Sequence, residues 1–323
     1  MSNKSYIYRL KNLGLPAIES IDDLADACRL SLGKVKYLSY RTEYLYKVFC
    51  IPKKTGKTRT ISQPNRELKA LQAWVLRNIL DKLSSSEHSK GFDKGASILD
   101  NASPHVGANY ILTIDLEDFF SNVKASHVYK IFHSIGYNDK ISAILTNICT
   151  FKGALPQGAP TSPKLANLVC AKLDSRLHGY AGPKGIVYTR YADDLTLSGQ
   201  TPQKIYKASQ FIGTVISDEG FSVNKAKTNI CGTQKQKKVT GLVVSEHHAG
   251  IGRQKYREIR SKIHYLFEGK SNDFHQVNGL LAFTYSVDRK SYKRIYSYVN
   301  KLKLRYSGSE ASKKIAAEIG IKA

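Results

Sequence analysis

Two apolar runs that end in carboxylates constrain this 323-residue chain most. In ILTIDLEDFF (residues 111–120), Ile111, Thr113 and Asp115 alternate with Leu112, Ile114 and Leu116, which sets Asp115 at the end of a buried strand. In IVYTRYADDLTLSG (186–199), Val187, Thr189 and Tyr191 alternate before the acidic pair, and Leu195 and Leu197 after it. That spacing predicts a hairpin with Ala192, Asp193 and Asp194 in its turn region. Two carboxylates held about 4 Å apart near a protein surface repel by up to about 4 kcal/mol, so they stay in water or bind cations. A solvated turn accounts for an isolated Asp-Asp pair. With Asp115 arriving from a second strand, the three can complete an oxygen cage suited to Mg²⁺. Two ions roughly 3.5–4 Å apart in such a cage activate an attacking hydroxyl and stabilise a leaving pyrophosphate.

The elements around these runs read as α+β. Ser126 is placed to cap a helix bearing Val128, Ile131, Phe132 and Ile135, and Asn138 to open another bearing Ile141, Ile144, Leu145 and Ile148. In LPQGAPTSPKLANLVCAKL a Gly/Pro-rich loop turns into a helix, with Ser162 as N-cap and Pro163 at the first helical position. A further helix runs from Pro202 to Ser217 and stops at Gly220. Upstream, Leu68, Leu71, Val75, Ile79 and Leu83 predict one long amphipathic helix, and Leu24 begins a shorter one. Between them YKVFCIPKKTGKTRTIS predicts a hairpin with Lys53, Lys54 and Lys57 at its tip and Arg59 on the returning strand. Such a tip serves to grip phosphates or to protect a sheet edge from aggregation. The pattern is a small antiparallel sheet backed by helices.

Charge narrows the partner. Lys and Arg number 50 against 26 Asp and Glu, a net charge of +24, and the excess is densest after residue 247, with 16 basic residues against 6 acidic. A surplus spread over a chain that is 41% hydrophobic, and so foldable, favours a polyanion. From Gly252 the chain reads as helical, with Arg253, Lys255, Arg257, Arg260 and Lys262 interleaved with Tyr256, Ile259, Ile263 and Leu266. Tyr292, Tyr296 and Tyr298 beside Lys290, Lys293 and Arg294 repeat the mixture, which suits sugar-phosphate and stacking contacts. The five cysteines (Cys28, Cys50, Cys149, Cys170, Cys231) show neither a disulfide framework nor zinc-site spacing, and read as buried thiols in a reducing cytosol. No apolar run of about 18 residues and no signal-peptide core is present, so the expected setting is cytoplasmic with no membrane partner.

LTIDLEDFF, LPQGAPTSP, YADD and GFSVNKAKT stand in the order of the palm motifs of reverse transcriptases, behind the basic segment RTISQPNRELKALQ. Between about residues 50 and 245 the chain resembles that family. The resemblance implies a right-hand polymerase of α+β class. Fingers and N-terminal helices would occupy 1–110, the palm 111–247 with a helical fingers insertion at 123–156, and a small basic helical thumb 248–323. It also implies that Asp115, Asp193 and Asp194 hold two Mg²⁺ ions, which Mn²⁺ can replace, with the Leu116 carbonyl completing the shell. Phe120 would be the gate that clashes with a ribonucleotide 2′-OH, with Phe119 as the competing ring. Gln157 would line the nucleotide pocket, Lys57 and Arg59 would reach the triphosphate, and Lys227, in competition with Lys225, would protonate pyrophosphate.

NASPH (101–105) and KVTGLVV (238–244) resemble the NAxxH and VTG motifs of retron reverse transcriptases. That likeness implies a dedicated bacterial enzyme that recognises one cognate structured noncoding RNA as template and primer. It would start from a guanosine 2′-OH, consume dNTPs, and make branched multicopy single-stranded DNA (msDNA) through an RNA–DNA hybrid. It further implies an antiphage defence unit with an effector or toxin protein. Removal of template RNA would fall to a host RNase H, since the residues after the palm are too few for an RNase H domain and a thumb. RNA contacts are expected at Asn101, His105, Lys237, Lys238, Val239, Thr240, Gly241, Arg253, Lys255 and Arg257, with Thr240 and Gly241 allowing close backbone approach. Outside that setting His105 is an ordinary buried polar group and VTG a strand followed by a glycine bulge. The rival from another class is a catalytically silent RNA-binding scaffold, against which the three aspartates argue.

Overall fold

The computed structural model describes residues 3–52, 56 and 58–308, so the hairpin-tip lysines Lys53, Lys54 and Lys57 lie outside the described residues. The strand Tyr110–Glu117 is the centre of a five-stranded antiparallel sheet. One edge pairs with Asp194–Gly199, which in turn pairs with Val187–Tyr191. The other edge is shared by two short strands, Ser222–Val223 and Asn229–Cys231. Because successive side chains leave a strand on opposite faces, Leu112, Ile114 and Leu116 enter the main core while Ile111 joins a second apolar cluster behind the sheet.

The main core is closed by the helices Ser162–Val169, Ala171–Ala181 and Pro202–Asp218, through Leu165, Leu173, Leu177, Ile205, Ile212 and Ile216. The helices Ala125–Ile135 and Asp139–Cys149 bury Val128, Phe132, Ile141 and Leu145 in the same core. Asn138 caps the second of these by accepting the Ile141 N–H at 2.9 Å. The first begins two residues earlier than Ser126 implied, with Lys124 at its N-cap. Ser162 is not a cap either: its hydroxyl donates to the Pro156 carbonyl at 2.7 Å, which ties the helix to the loop before it. The long upstream helix is also shorter than its periodicity, running Arg66–Asn78 and breaking at Ile79 into a tight turn at Leu80–Lys82. Ile79 and Leu80 are both fully buried, so packing is kept although the helix is not.

Tyr46–Pro52 and Thr58–Pro64 form the expected hairpin in full register. At the C-terminal end, a three-stranded sheet (Lys238–Val239, Leu242–Val244, Ala249–Gly250) leads into the helices Gly252–Phe267, Phe274–Val287 and Arg289–Arg305. Their apolar faces, with Ile259, Ile263, Val277, Leu281, Ile295 and Val299, form the second cluster together with Ala102, Ala108 and Ile111. Asp288 welds this unit by accepting the Ser291 N–H at 2.9 Å and the Ile251 N–H at 3.2 Å. Only Cys149 and Cys170 are the buried thiols expected; Cys50 is exposed on the hairpin. Among the described residues no helix is long and apolar enough to cross a membrane.

Candidate active site

Tyr191 pairs with Asp194, leaving Ala192 and Asp193 as a two-residue turn. Ala192 has φ 59, the sense that matches the twist of the flanking strands and that few residues other than glycine adopt. Arg190 holds it there, with Nη1 donating to the Ala192 carbonyl at 3.2 Å. Arg190 is in turn locked by a sealed network. Its Nε and Nη2 donate to the two oxygens of Asp174 at 2.8 and 2.7 Å, with both side chains 0% exposed. Tyr188 donates its hydroxyl to Asp174 at 2.7 Å, and Asn167 Oδ1 accepts from Arg190 at 3.1 Å. On the far side the Asp193 carbonyl accepts the Leu116 N–H at 2.9 Å, and Asp194 pairs with Asp115 across the ladder. The three aspartates therefore meet at one end of the sheet.

Their charges are poorly compensated. Asp194 keeps an exposed edge, yet burial of its surroundings and then the charges of Asp193 and Asp115 push its carboxyl up to about 6. Asp193 is raised by burial and by Asp115, against the opposing pull of Lys227 and Arg59. The ammonium that approaches is Lys227, whose Nζ lies 2.8 and 2.6 Å from the two oxygens of Asp115. This bond raises the Lys227 pKa. The approach is built into the backbone: the Asn224 N–H donates to the Asp115 carbonyl at 2.9 Å and the Lys227 N–H to Asn224 at 3.1 Å. Of the two competing lysines, Lys227 reaches the carboxylates, and Lys225 is exposed.

This donor set suits hard divalent cations, and it already holds one positive charge, the Lys227 ammonium. Among the described residues no group of three acidic, His or Cys side chains is arranged to hold an ion. Leu116 is buried at the strand end. The two rings after the strand part company. Phe119 is 4% exposed and packs against Phe221, whereas Phe120 is half-buried with its ring 6.0 Å from that of Phe92. Gln157 is half-buried, and its carbonyl accepts the Ser62 N–H at 2.9 Å, which ties its loop to the hairpin. A Cβ on Gly158 would stand 2.8 Å from the Ser62 carbonyl oxygen, so glycine is what permits that contact. Arg59 is exposed on the same hairpin.

Three expected RNA contacts need correction. Asn101 and His105 are both 0% exposed, because the NASPH segment is packed between the sheet and the C-terminal cluster. His105 bridges the strands behind the aspartates, with Nδ1 2.7 Å from Ser198 Oγ and Nε2 2.8 Å from Thr189 Oγ1, and burial lowers its pKa to about 4. Val239 likewise belongs to the core. VTG is a tight hairpin rather than a glycine bulge, with Thr240 at φ 45 and Gly241 at φ 83 between paired Val239 and Leu242. Thr240 Oγ1 donates to the Ile98 carbonyl at 3.2 Å and Lys237 Nζ to the Ala108 carbonyl at 2.5 Å, which ties VTG to the residues on either side of NASPH, and Ala102 of NASPH shares one apolar cluster with Val239 and Leu242. Lys238, Gly241, Arg253 and Arg257 are exposed around it, while Lys255 is paired with Glu258 at 3.0 Å. The residues that sequence reasoning missed are Asp174, Asn167 and Arg190. The available signal was an arginine inside an otherwise apolar strand, which must be buried with a partner.

The reverse transcriptase (RNA-dependent DNA polymerase) family profile matches residues 51–244. Retron Ec86 reverse transcriptase of Escherichia coli is 53% identical over 317 residues, covering 97% of this chain and 99% of that relative. The chain belongs to the retron reverse transcriptases. Retron Mx162 reverse transcriptase of Myxococcus xanthus is 35% identical over 322 residues, covering 87% of this chain and 66% of its own length. The solved structure of telomerase from Candida tropicalis with a fragment of telomeric RNA superposes with a TM-score of 0.51 at 11% identity, over 80% of this chain and 55% of that one. This last likeness speaks for the fold alone, a right-hand polymerase. The chain is thus an RNA-directed DNA polymerase that takes an RNA template.

Proposed function

We propose that this retron enzyme carries out nucleotidyl transfer at Asp115, Asp193 and Asp194, within a palm of residues 111–247 flanked by fingers (1–110) and a basic thumb (248–308 of the described chain). The observation that carries the reading is the pairing of Asp115 with Asp194 beside the Asp193 turn, with Lys227 in contact. The three carboxylates and the Leu116 carbonyl would hold two Mg²⁺ ions, with Mn²⁺ as a substitute. Bound there, divalent ions supply Lewis-acid activation of the attacking hydroxyl and charge neutralisation at the phosphates. The side chains do the rest. Lys227, already protonated beside Asp115, is placed to give its proton to the leaving pyrophosphate. Arg59, with Lys57, draws the triphosphate in, Gln157 lines the pocket, and Phe120 occupies the space beside the sugar 2′ position. Asp193→Asn should abolish extension of an annealed primer while RNA binding is retained; normal extension would refute the assignment.

The RNA-specific part of the reading rests on the NASPH–VTG unit. Buried Asn101 and His105 would shape it, and Lys238, Gly241, Arg253 and Arg257 would present it to the cognate noncoding RNA. Synthesis then begins at a guanosine 2′-OH of that RNA and yields branched msDNA, with host RNase H trimming the template. The ribonucleoprotein would restrain an effector protein in antiphage defence. Replacing Lys238 and Arg253 with Ala should depress initiation on the cognate RNA far more than extension of an unrelated primed template. Equal losses in the two assays would remove the case for dedicated recognition.

A further inference from the structure

Phe92 has φ 68, a left-handed conformation that a bulky aromatic residue adopts only under constraint, and the residue is 40% exposed. The neighbouring backbone supplies the constraint. The Lys90 N–H donates to the Arg190 carbonyl at 2.7 Å, the Arg190 N–H to the His88 carbonyl at 2.8 Å, and Asn167 Nδ2 to the Gly91 carbonyl at 2.7 Å. The next residue, Asp93, is bonded to Lys164 at 2.6 Å and accepts from Ser85 Oγ at 3.2 Å. Gly91 is pressed against the aspartate turn, since a Cβ there would stand 3.1 Å from the Ala192 nitrogen. Arg190 and Asn167, which hold that turn, therefore hold this loop as well. Backbone strain that its surroundings over-determine concentrates at functional geometry.

The product of the strain is a ring placed beside Phe120. Their centroids are 6.0 Å apart at 39°, and Phe120 also contacts the Phe119 ring, at 5.4 Å and 58°. A half-buried ring with an open flank can move among staggered rotamers, whereas one enclosed by two rings is confined. We propose that Phe92 is a positioning residue for sugar selection: it holds Phe120 against the 2′ position of the incoming nucleotide, so that deoxynucleoside triphosphates are preferred to ribonucleoside triphosphates. This rests on the reading of Phe120 as the gate.

The test uses the full-length enzyme on a primed template and measures the ratio of ribonucleotide to deoxynucleotide incorporation. Glycine takes φ 68 without strain, so Phe92→Gly removes the ring while leaving the loop at least as comfortable, and an unchanged or raised melting temperature verifies this. Phe92→Gly should raise the ratio by about tenfold, in the range that a lost apolar contact costs in discrimination. Phe92→Tyr should restore the wild-type value. In a Phe120→Ala background Phe92→Gly should add nothing, since no ring remains to be positioned. If Phe120→Ala shifts the ratio and Phe92→Gly does not, the positioning role is overturned and the gate survives. A shift of equal size in the Phe120→Ala background would mean that Phe92 touches the sugar itself, which also overturns it. If neither variant shifts the ratio, the gate reading falls and this inference with it.

Discussion

Two clusters of charge lie within a few residues of each other and are built on opposite terms. Asp174 and Arg190 are sealed from water, joined by two hydrogen bonds, and further satisfied by Tyr188 and Asn167. The other cluster reaches solvent through exposed Asp194 and half-buried Asp193 while Asp115 is buried, with one lysine among three carboxylates and two of the carboxyls pushed up. A fully satisfied network fixes a shape, whereas an under-neutralised one keeps an affinity for cations. The first cluster shapes the turn on which the second stands, through the Arg190 bond to the Ala192 carbonyl.

The two clusters differ most in what they do for activity. Asp115→Asn should cut primer extension by about a thousandfold or more, which is about 4 kcal/mol on the barrier, without lowering the melting temperature. Removing one partner of the sealed pair should do the reverse to stability. Asp174→Asn leaves the Arg190 guanidinium buried and uncompensated, and denaturant unfolding should show a loss of about 3–5 kcal/mol. A smaller loss, about 1–3 kcal/mol, is expected for His105→Ala, which strands the Ser198 and Thr189 hydroxyls. That variant should reduce initiation on cognate RNA and generic extension alike, in contrast to changes at Lys238 and Arg253.

The smallest effect concerns pH. Because the Asp194 carboxyl is raised to about 6 in the fold from an ordinary value of 3.8, the folded protein binds this proton more tightly than the unfolded chain. Its contribution to stability therefore grows as pH falls from above 6 toward 4 and is lost as pH rises through that window. Metal-free Asp194→Asn should melt slightly higher than wild type at neutral pH, with a flatter pH profile. Added Mg²⁺ should raise the wild-type melting temperature by more than that of the variant. A lower melting temperature for Asp194→Asn at neutral pH would show that the cluster is compensated after all.

Periodicity and caps were enough to place the strand that carries Asp115, the hairpin around Asp193 and Asp194, the Lys-tipped hairpin, and the helix opened by Asn138. Those signals are local: alternation of side chains and the hydrogen bond of a cap are settled within a few residues. Local signals misled where a competing contact was distant, as when the Pro156 carbonyl took the Ser162 hydroxyl and when the helix expected to reach Leu83 broke at Ile79. The order of carboxylate strands, basic hairpin and C-terminal helices was likewise written in the chain, because each needs only its own spacing to be read. Tertiary structure alone set Lys227 rather than Lys225 against Asp115, buried Phe119 while leaving Phe120 half-buried, enclosed Asn101 and His105, and brought the Phe92 ring to 6.0 Å from that of Phe120. A residue pattern determines which face a side chain takes on its own element, but which element then covers that face depends on packing across some 100 residues of intervening chain, as from Lys227 back to Asp115 at a separation of 112.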